Sequence, residues 1–513
     1  MGSAMFLGID IGTGSSKAVL VSPGGRILDR ASITHAADLP RPGWVEFDAD
    51  AVWWSEVSKL TRELLSRNDA GDLQGVCVSG MGPCLVVTDD SFTPLRPAIL
   101  YGVDTRATEE TAELTAEFGP QWIFDTCGKE LSSQSVGPKL RWLKNHEPDT
   151  FAQATHWFGL NSYIVAKLTG EYVQDHHSAS QCDPLYDVAG CDWATDAVTA
   201  VAGHLEVPRL VWSTDVVGKV TPAAAEFTGI PVGTPVCAGT VDAWAEAFSA
   251  GVEQPGDLML MYGSTMFFVH ILSEPRTHHK LWACSGVTEG ALTLAAGMST
   301  SGSLVSWMQH LFGDVPLADL IQEAESVPAG SEGLLVLPHF AGERSPILDP
   351  DARGTIIGLT MRHGRAHLLR AAYEGMAYGI RQILELLEST GEPVRRLVAV
   401  GGGTNAPLWT KVVSDITGRT QIVPRQTIGA SYGDALMAAI GTGAVPEGTV
   451  WAQPDHVVEP DQDNAAVYES LFATYSTLYP AIRGQMHELA AIQRDTANCP
   501  EQIRELPEQS LRP

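Results

Sequence analysis

Three glycine-rich turns and two aspartates stand where this chain could hold an anion and move a proton. Gly12-Thr13-Gly14-Ser15-Ser16, Gly263-Ser264-Thr265 and Gly401-Gly402-Gly403 each follow a short apolar run. Turns of this kind aim several backbone N–H groups at one point, where an anion meets them without side-chain obstruction. Asp10 opens the first turn, and Asp242 stands at a Gly239-Thr240-Val241-Asp242 helix start that projects a carboxylate from a strand end. Plainer readings stand beside these: a turn-initiating Asp, a helix N-terminal carboxylate favoured by the macrodipole, and glycines that merely connect elements. The GxxxxGK[ST] pattern is absent, and Gly12-Thr13-Gly14 continues without the third glycine of GxGxxG. A P-loop nucleotidase and a dinucleotide-binding turn are therefore disfavoured.

The elements that must position these groups come in matching pairs. Residues 5–9 and 18–22 read as strands around the first turn, and 257–261 and 267–272 repeat that pattern around the second. Strand 235–238 leads through Gly239-Thr240 into a helical pattern at 242–250, as 397–400 leads through three glycines into one at 405–417. Two similarly built α/β halves with a cleft between them explain this duplication, the boundary falling near 251–256. Helices are expected at 50–67, 105–118, 138–146, 160–169 and 364–390. The last carries apolar residues from Leu368 to Leu387 at helical spacing, as a core helix does.

Composition narrows the function classes. Of 513 residues, 33 are Lys or Arg and 61 Asp or Glu, a net charge of −28 with no basic run longer than a pair, which argues against nucleic acid as a partner. The length suits two or three domains. Eight cysteines without a CxxC pair imply neither zinc site nor disulfide framework, and so a reducing, cytoplasmic setting. Neither a basic n-region nor a long h-region opens the chain, so no signal peptide is expected, and the uncharged stretch Gly290–Gly313 is too polar for a membrane span.

Five ordered strings, GIDIGTGSSKAVLV (8–21), AGTVDAWAEAFSAG (238–251), MYGSTM (261–266), FAGERSPILDPDARGTIIGLT (340–360) and VAVGGGTNAPLWTKVVSDITG (398–418), together resemble the FGGY carbohydrate kinases. The resemblance runs from about residue 5 to 480 and implies two ribonuclease-H-like domains of the actin/hexokinase type, with sugar and Mg·ATP in the cleft. It assigns 5–252 to a sugar-binding N-terminal domain, 253–485 to a nucleotide-binding C-terminal domain and 486–513 to a surface tail. By the same resemblance Asp242 is the catalytic base and Asp10 holds Mg²⁺ through water. Gly12, Thr13, Gly14 and Lys17 approach the transferred phosphoryl, Gly263, Ser264 and Thr265 form the second phosphate turn, and Gly402, Gly403 and Asn405 the adenosine side. Ser301 and Gly302 lie near the nucleotide, and Arg344 and Arg353 of the GERSP signature are expected to be mostly structural.

The substrate side departs from well-known members. Met81-Gly82 stands where xylulose kinases usually carry Met-His and glycerol kinases Arg-Glu, so glycerol is disfavoured. Tyr101 replaces the tryptophan of a Trp-x-Asp-x-Arg segment, with one extra residue, and Asp104 is the sugar-hydroxyl ligand this segment implies. Similarity points to the xylulose kinase branch, hence to a ketopentose such as xylulose bound by Met81, Gly82, Tyr101, Asp104 and Asp242; a tetritol, pentitol or sugar acid stays open. On the same fold, an actin- or chaperone-type ATPase and a sugar sensor are the alternatives, while a nicotinamide oxidoreductase rests on glycine turns alone. A homodimer is common in such a family.

Overall fold

At the first glycine turn the chain folds as a hairpin: β1 (Met5–Ile11) and β2 (Ser15–Val21) pair antiparallel, with Asp10 opposite Lys17. The computed structural model describes residues 4–425 and 428–497. β3 (Ile27–Thr34) continues antiparallel beside β2, while β4 (Leu73–Gly80) and then β5 (Pro235–Cys237) lie parallel on the other side of β1. The short β6 (Thr240–Val241) pairs with the end of β4. This order, β3-β2-β1-β4-β5, recurs in the second half. There β7 (Asp257–Tyr262) pairs antiparallel with β8 (Met266–Leu272), β8 with β9 (Leu292–Met298), and β10 (Arg396–Val400) and β11 (Gln421–Pro424) follow parallel on the far side of β7. The faint repeat in the sequence is thus a repeat of a whole sheet, the ribonuclease-H-like arrangement expected.

Helices fill the faces: α1 (Ser55–Arg67), α2 (Asp242–Ser249), α3 (Gly302–Leu311), α4 (Arg365–Ser389), α5 (Pro407–Thr417), α6 (Ala430–Gly441) and α7 (Ala465–Ala497). Along α4, Leu369, Met376, Ile380, Ile383, Leu384 and Leu387 are buried as their spacing foretold, each such side chain worth ~1.5–3 kcal/mol when fully withdrawn from water. α2 and α6 lie between the sheets, in a core built from Phe6 and Cys77 of the first and Met259 and Val269 of the second, with Trp244, Phe248, Leu436 and Met437 between. Two glycines allow this approach. A Cβ on Gly8 would stand 1.9 Å from the Ser431 carbonyl of α6, and one on Gly433 would stand 2.1 Å from the Ala245 carbonyl of α2.

The expected helices form, with shifted starts. The first opens with a π turn, Ala49–Trp54, capped by Asp48, and the second begins at Thr108 rather than 105. Residues 81–234, inserted between β4 and β5, carry short helices and two-stranded sheets, the expected Val136–His146 among them; the expected Leu160–Thr169 packs in the core of the first sheet, and Val216–Lys219 joins that sheet as an antiparallel edge strand beside β5. The tail expected from 486 needs correction: α7 runs on to Ala497, and Met486 and Ala490 are buried against the C-terminal half. The rest of that tail, 498–513, lies outside the described residues. Among the described residues seven cysteines are free thiols, six of them buried. Among the described residues no helix is long and apolar enough to cross a membrane.

Candidate active site

Strand register brings the first groups together. Asp10, near the end of β1, faces Lys17 on β2 and Ser79 on β4, and β6 delivers Asp242 beside the end of β4 to start α2. Glu246, one helical turn further along α2, joins them. Burial pushes Asp10 up to about 8, with Asp242 and Glu246 adding repulsion and Lys17 opposing it. Asp242 is pushed up to about 6 by burial, against a 2.7 Å hydrogen bond from Ala243 N and the charge of Lys17. Glu246 rises to about 7 by burial and the neighbouring Asp242. Lys17 is exposed, and its charge lowers the pKa of all three acids. Glu246 was missed in the sequence, although its i, i+4 spacing from Asp242 places it on the same helix face.

The turn at 12–16 is clamped from behind. His35 donates its backbone N–H to the Gly14 carbonyl at 3.1 Å, and its Nε2 lies 2.8 Å from the Gly12 carbonyl. Glu56 of α1 holds the other ring nitrogen at 2.8 Å and accepts from Ser16 Oγ at 2.7 Å. Neither His35 nor Glu56 carries a motif that would have marked it. In the second turn, the Gly302 and Ser301 N–H groups donate to the Gly263 and Ser264 carbonyls at 2.9 and 3.1 Å, and a Cβ on Gly302 would stand 2.7 Å from the Gly263 oxygen. Ser301 is wholly buried. The pair therefore packs directly against the turn, Gly302 staying part-exposed at the start of α3. Gly402 and Asn405 are exposed, and Gly403 packs where a Cβ would meet Trp409 at 2.5 Å.

Between the halves lies a cavity of ≈ 230 Å³. Met81, Gly82, Tyr101 and Asp242 line it, together with Thr265 of the turn at 263–265. Trp244, Phe267 and Trp282 give it an apolar wall suited to the C–H face of a sugar, while Ser132, Gln134 and Gln181 offer hydrogen bonds. Tyr101 OH is 2.8 Å from Thr13 Oγ1, tying this cavity to the turn at 12–16. Lys129 is fully engaged, donating to the Ser180 and Ala283 carbonyls at 2.7 and 3.0 Å and pairing with Asp183 at 3.1 Å. A side chain at position 82 is excluded by Val241, whose Cγ2 would lie 2.7 Å from a Cβ there.

Asp104 is a correction. It does not line the cavity: its carboxylate accepts from Arg106 Nη2 and Val45 N at 2.7 Å each, and both side chains of that ion pair are fully buried. Arg344 is another. Expected to be structural, its side chain instead forms part of the cavity wall, whereas Arg353 does hold structure, bonding the Pro350 and Ala352 carbonyls and Gln493.

The models of the FGGY family of carbohydrate kinases match almost the whole described chain, the N-terminal domain over residues 5–249 and the C-terminal domain over 258–442. The chain belongs to that family. This FGGY kinase is similar to the xylulose kinase of Bacillus subtilis, 28% identical over 484 residues that cover 92% of this chain and 96% of that protein. It is also similar to the gluconokinase of the same organism, 26% identical over 514 residues, 96% and 99% of the two. The crystal structure of xylulose kinase from Rhodospirillum rubrum matches with a TM-score of 0.88 at 32% identity, over 94% of this chain and all of that one. The protein is thus a phosphotransferase acting on a sugar or polyol.

The acids of this FGGY kinase suit the magnesium such enzymes use. Asp10 Oδ1 is buried without a hydrogen-bond partner, and hard carboxylate oxygens are what Mg²⁺ takes. Asp10 would hold that ion, which neutralises charge on the polyphosphate it accompanies, and among the described residues no three acidic, His or Cys side chains converge as a ready-made metal cage.

Proposed function

We propose that this kinase transfers the γ-phosphoryl of Mg·ATP to a hydroxyl of a ketopentose, with xylulose the lead substrate. The observation that carries the reading is the position of Asp242, in the wall of the cavity, beside Lys17 and between two turns rich in backbone N–H. A carboxylate pushed up to about 6 still ionises at neutral pH, yet is basic enough to accept a proton from an attacking hydroxyl.

In this account Trp244, Phe267 and Trp282 cover the carbon chain of the sugar, and Tyr101, Gln134 and Gln181 read its hydroxyls. Asp242 takes the proton from the hydroxyl that attacks. The turns 12–14 and 263–265 cradle the polyphosphate through their N–H groups, Lys17 adds positive charge, and Asp10 holds the metal. Gly402, Gly403 and Asn405 face the adenosine. Binding of both substrates closes the two halves and keeps water from the phosphoryl.

The similarity to gluconokinases and the cationic Arg344 in the cavity favour one second reading, a sugar acid as acceptor. A coupled ADP-release assay with Mg·ATP against ketopentoses, pentitols, tetritols, glycerol and gluconate tests both. A ketopentose that raises turnover far above the blank supports the first reading, gluconate the second, and turnover that ignores every sugar overturns both.

A further inference from the structure

Among the described residues the cavity contains a cation, Arg344, that forms no ion pair. Arg344 reaches it from the C-terminal half, half-buried, with its guanidinium laid over Gly297 of β9. Only a glycine permits this, because a Cβ at 297 would stand 2.8 Å from Cζ and 2.9 Å from Nη2. Nη2 donates to the Met298 carbonyl at 2.7 Å, and the Trp282 ring centre lies 5.8 Å from Cζ.

Among the described residues no carboxylate forms an ion pair with it. Glu343, next in sequence, is turned elsewhere: its Oε1 accepts from Ser299 N and Arg344 N at 2.7 and 2.8 Å, and its Oε2 lies 3.1 Å from His339 Nδ1. A guanidinium keeps its charge at every physiological pH, and withdrawing it from water is unfavourable until an anion meets it. Lys129, by contrast, already has Asp183.

What stands around Arg344 says which anion. Asp242, Thr265 and Tyr101 line the same cavity, and the Tyr101 hydroxyl reaches Thr13. The groups that would hold a phosphoryl on the nucleotide side and the base on the acceptor side therefore share one cavity with this guanidinium.

We propose that Arg344 is a further catalytic residue, whose guanidinium contacts the phosphoryl group in transit between nucleotide and acceptor. The inference rests on the kinase reading of this cavity. The acceptor oxygen forms a bond to the γ-phosphorus and its proton passes to Asp242. The bond from phosphorus to the bridging oxygen breaks, and that electron pair leaves with ADP. Arg344 makes and breaks no covalent bond; its N–H groups meet charge spreading over the equatorial oxygens.

Arg344→Ala and Gly297→Ala test this with the acceptor that the wild-type enzyme turns over fastest. The first removes the guanidinium; the second keeps it and displaces it. For Arg344→Ala, kcat falls on the order of 10²–10³-fold while the Kd for ADP stays unchanged, and tens of millimolar guanidinium restores part of the turnover. Aluminium fluoride with ADP and acceptor, a mimic of the phosphoryl in flight, loses affinity for the variant by a similar factor. Gly297→Ala loses kcat without losing ADP binding, and unchanged thermal midpoints show that both variants fold. A kcat within threefold of wild type for Arg344→Ala overturns the proposal. So does a loss confined to KM for an acidic acceptor, which would assign the guanidinium to a substrate carboxylate. A wild-type enzyme that turns over no acceptor overturns instead the kinase reading beneath it.

Discussion

Rates at acid pH report the state of Asp242 directly. Burial pushes this carboxyl up to about 6, and two opposing influences, the Ala243 N–H and Lys17, hold it there. At pH 5 a base with a pKa of about 6 is ionised in roughly one molecule in ten, whereas an ordinary aspartate is ionised in more than nine in ten. If the ionised form takes the substrate proton, kcat/KM falls about tenfold per pH unit below about 6. Lys17→Met removes a positive charge that favours the ionised form, so the acid limb must move upward. Two unit charges 4 Å apart interact by about 1 kcal/mol in water and about 4 kcal/mol at the screening of a protein surface. Lys17 is exposed and forms no ion pair with Asp242, so the interaction lies below the lower figure and the limb should rise by about half a pH unit or less. Initial rates of ADP release from about pH 5 to about pH 9 read both limbs. A limb near pH 4 in the wild type, or one that Lys17→Met leaves in place or lowers, refutes the reasoning.

Asp242→Asn should lower kcat by about 10²–10⁴-fold while leaving the affinity for ADP, measured by calorimetry, unchanged. Asp10→Asn should raise the thermal midpoint of the ligand-free protein at pH 8, and the gain should shrink towards pH 5. Folded Asp10 holds its proton below about 8, while the unfolded chain has released it above about 4, so the native state loses stability as pH rises through this window. Gly8→Ala forces a Cβ against the Ser431 carbonyl and should cost at least ~1–3 kcal/mol in urea unfolding, with activity lost only as far as the fold is.

What the sequence discloses about this site is what lies close together along the chain. The hairpin at 5–21, its phosphate turn and Asp10 are one local unit, and so is the strand end that carries Asp242; both are legible because glycine and apolar runs mark them. Glu246 was equally local and could have been found from its helical spacing. Asp104 misled because only its segment was compared with a family pattern. The arginine two residues on captures its carboxylate, and a neighbouring Asp-x-Arg is itself a warning of that. Arg344 could not be placed from sequence: its route into the cavity depends on Gly297, on a different strand, and on Glu343 being engaged by Ser299 and His339. The passage of α6 onto the first sheet is likewise a long-range fact, fixed by packing that pairs Gly8 with Ser431 and Gly433 with Ala245.

The central claim is that the phosphoryl passes from nucleotide to a sugar hydroxyl within this cavity. Phosphorus NMR of the enzyme with Mg·ATP and xylulose follows the phosphoryl itself. The account predicts that the γ resonance is replaced by a phosphomonoester of the sugar, and that Asp242→Asn suppresses it. Inorganic phosphate in place of the monoester, at a rate the sugar does not change, would contradict it.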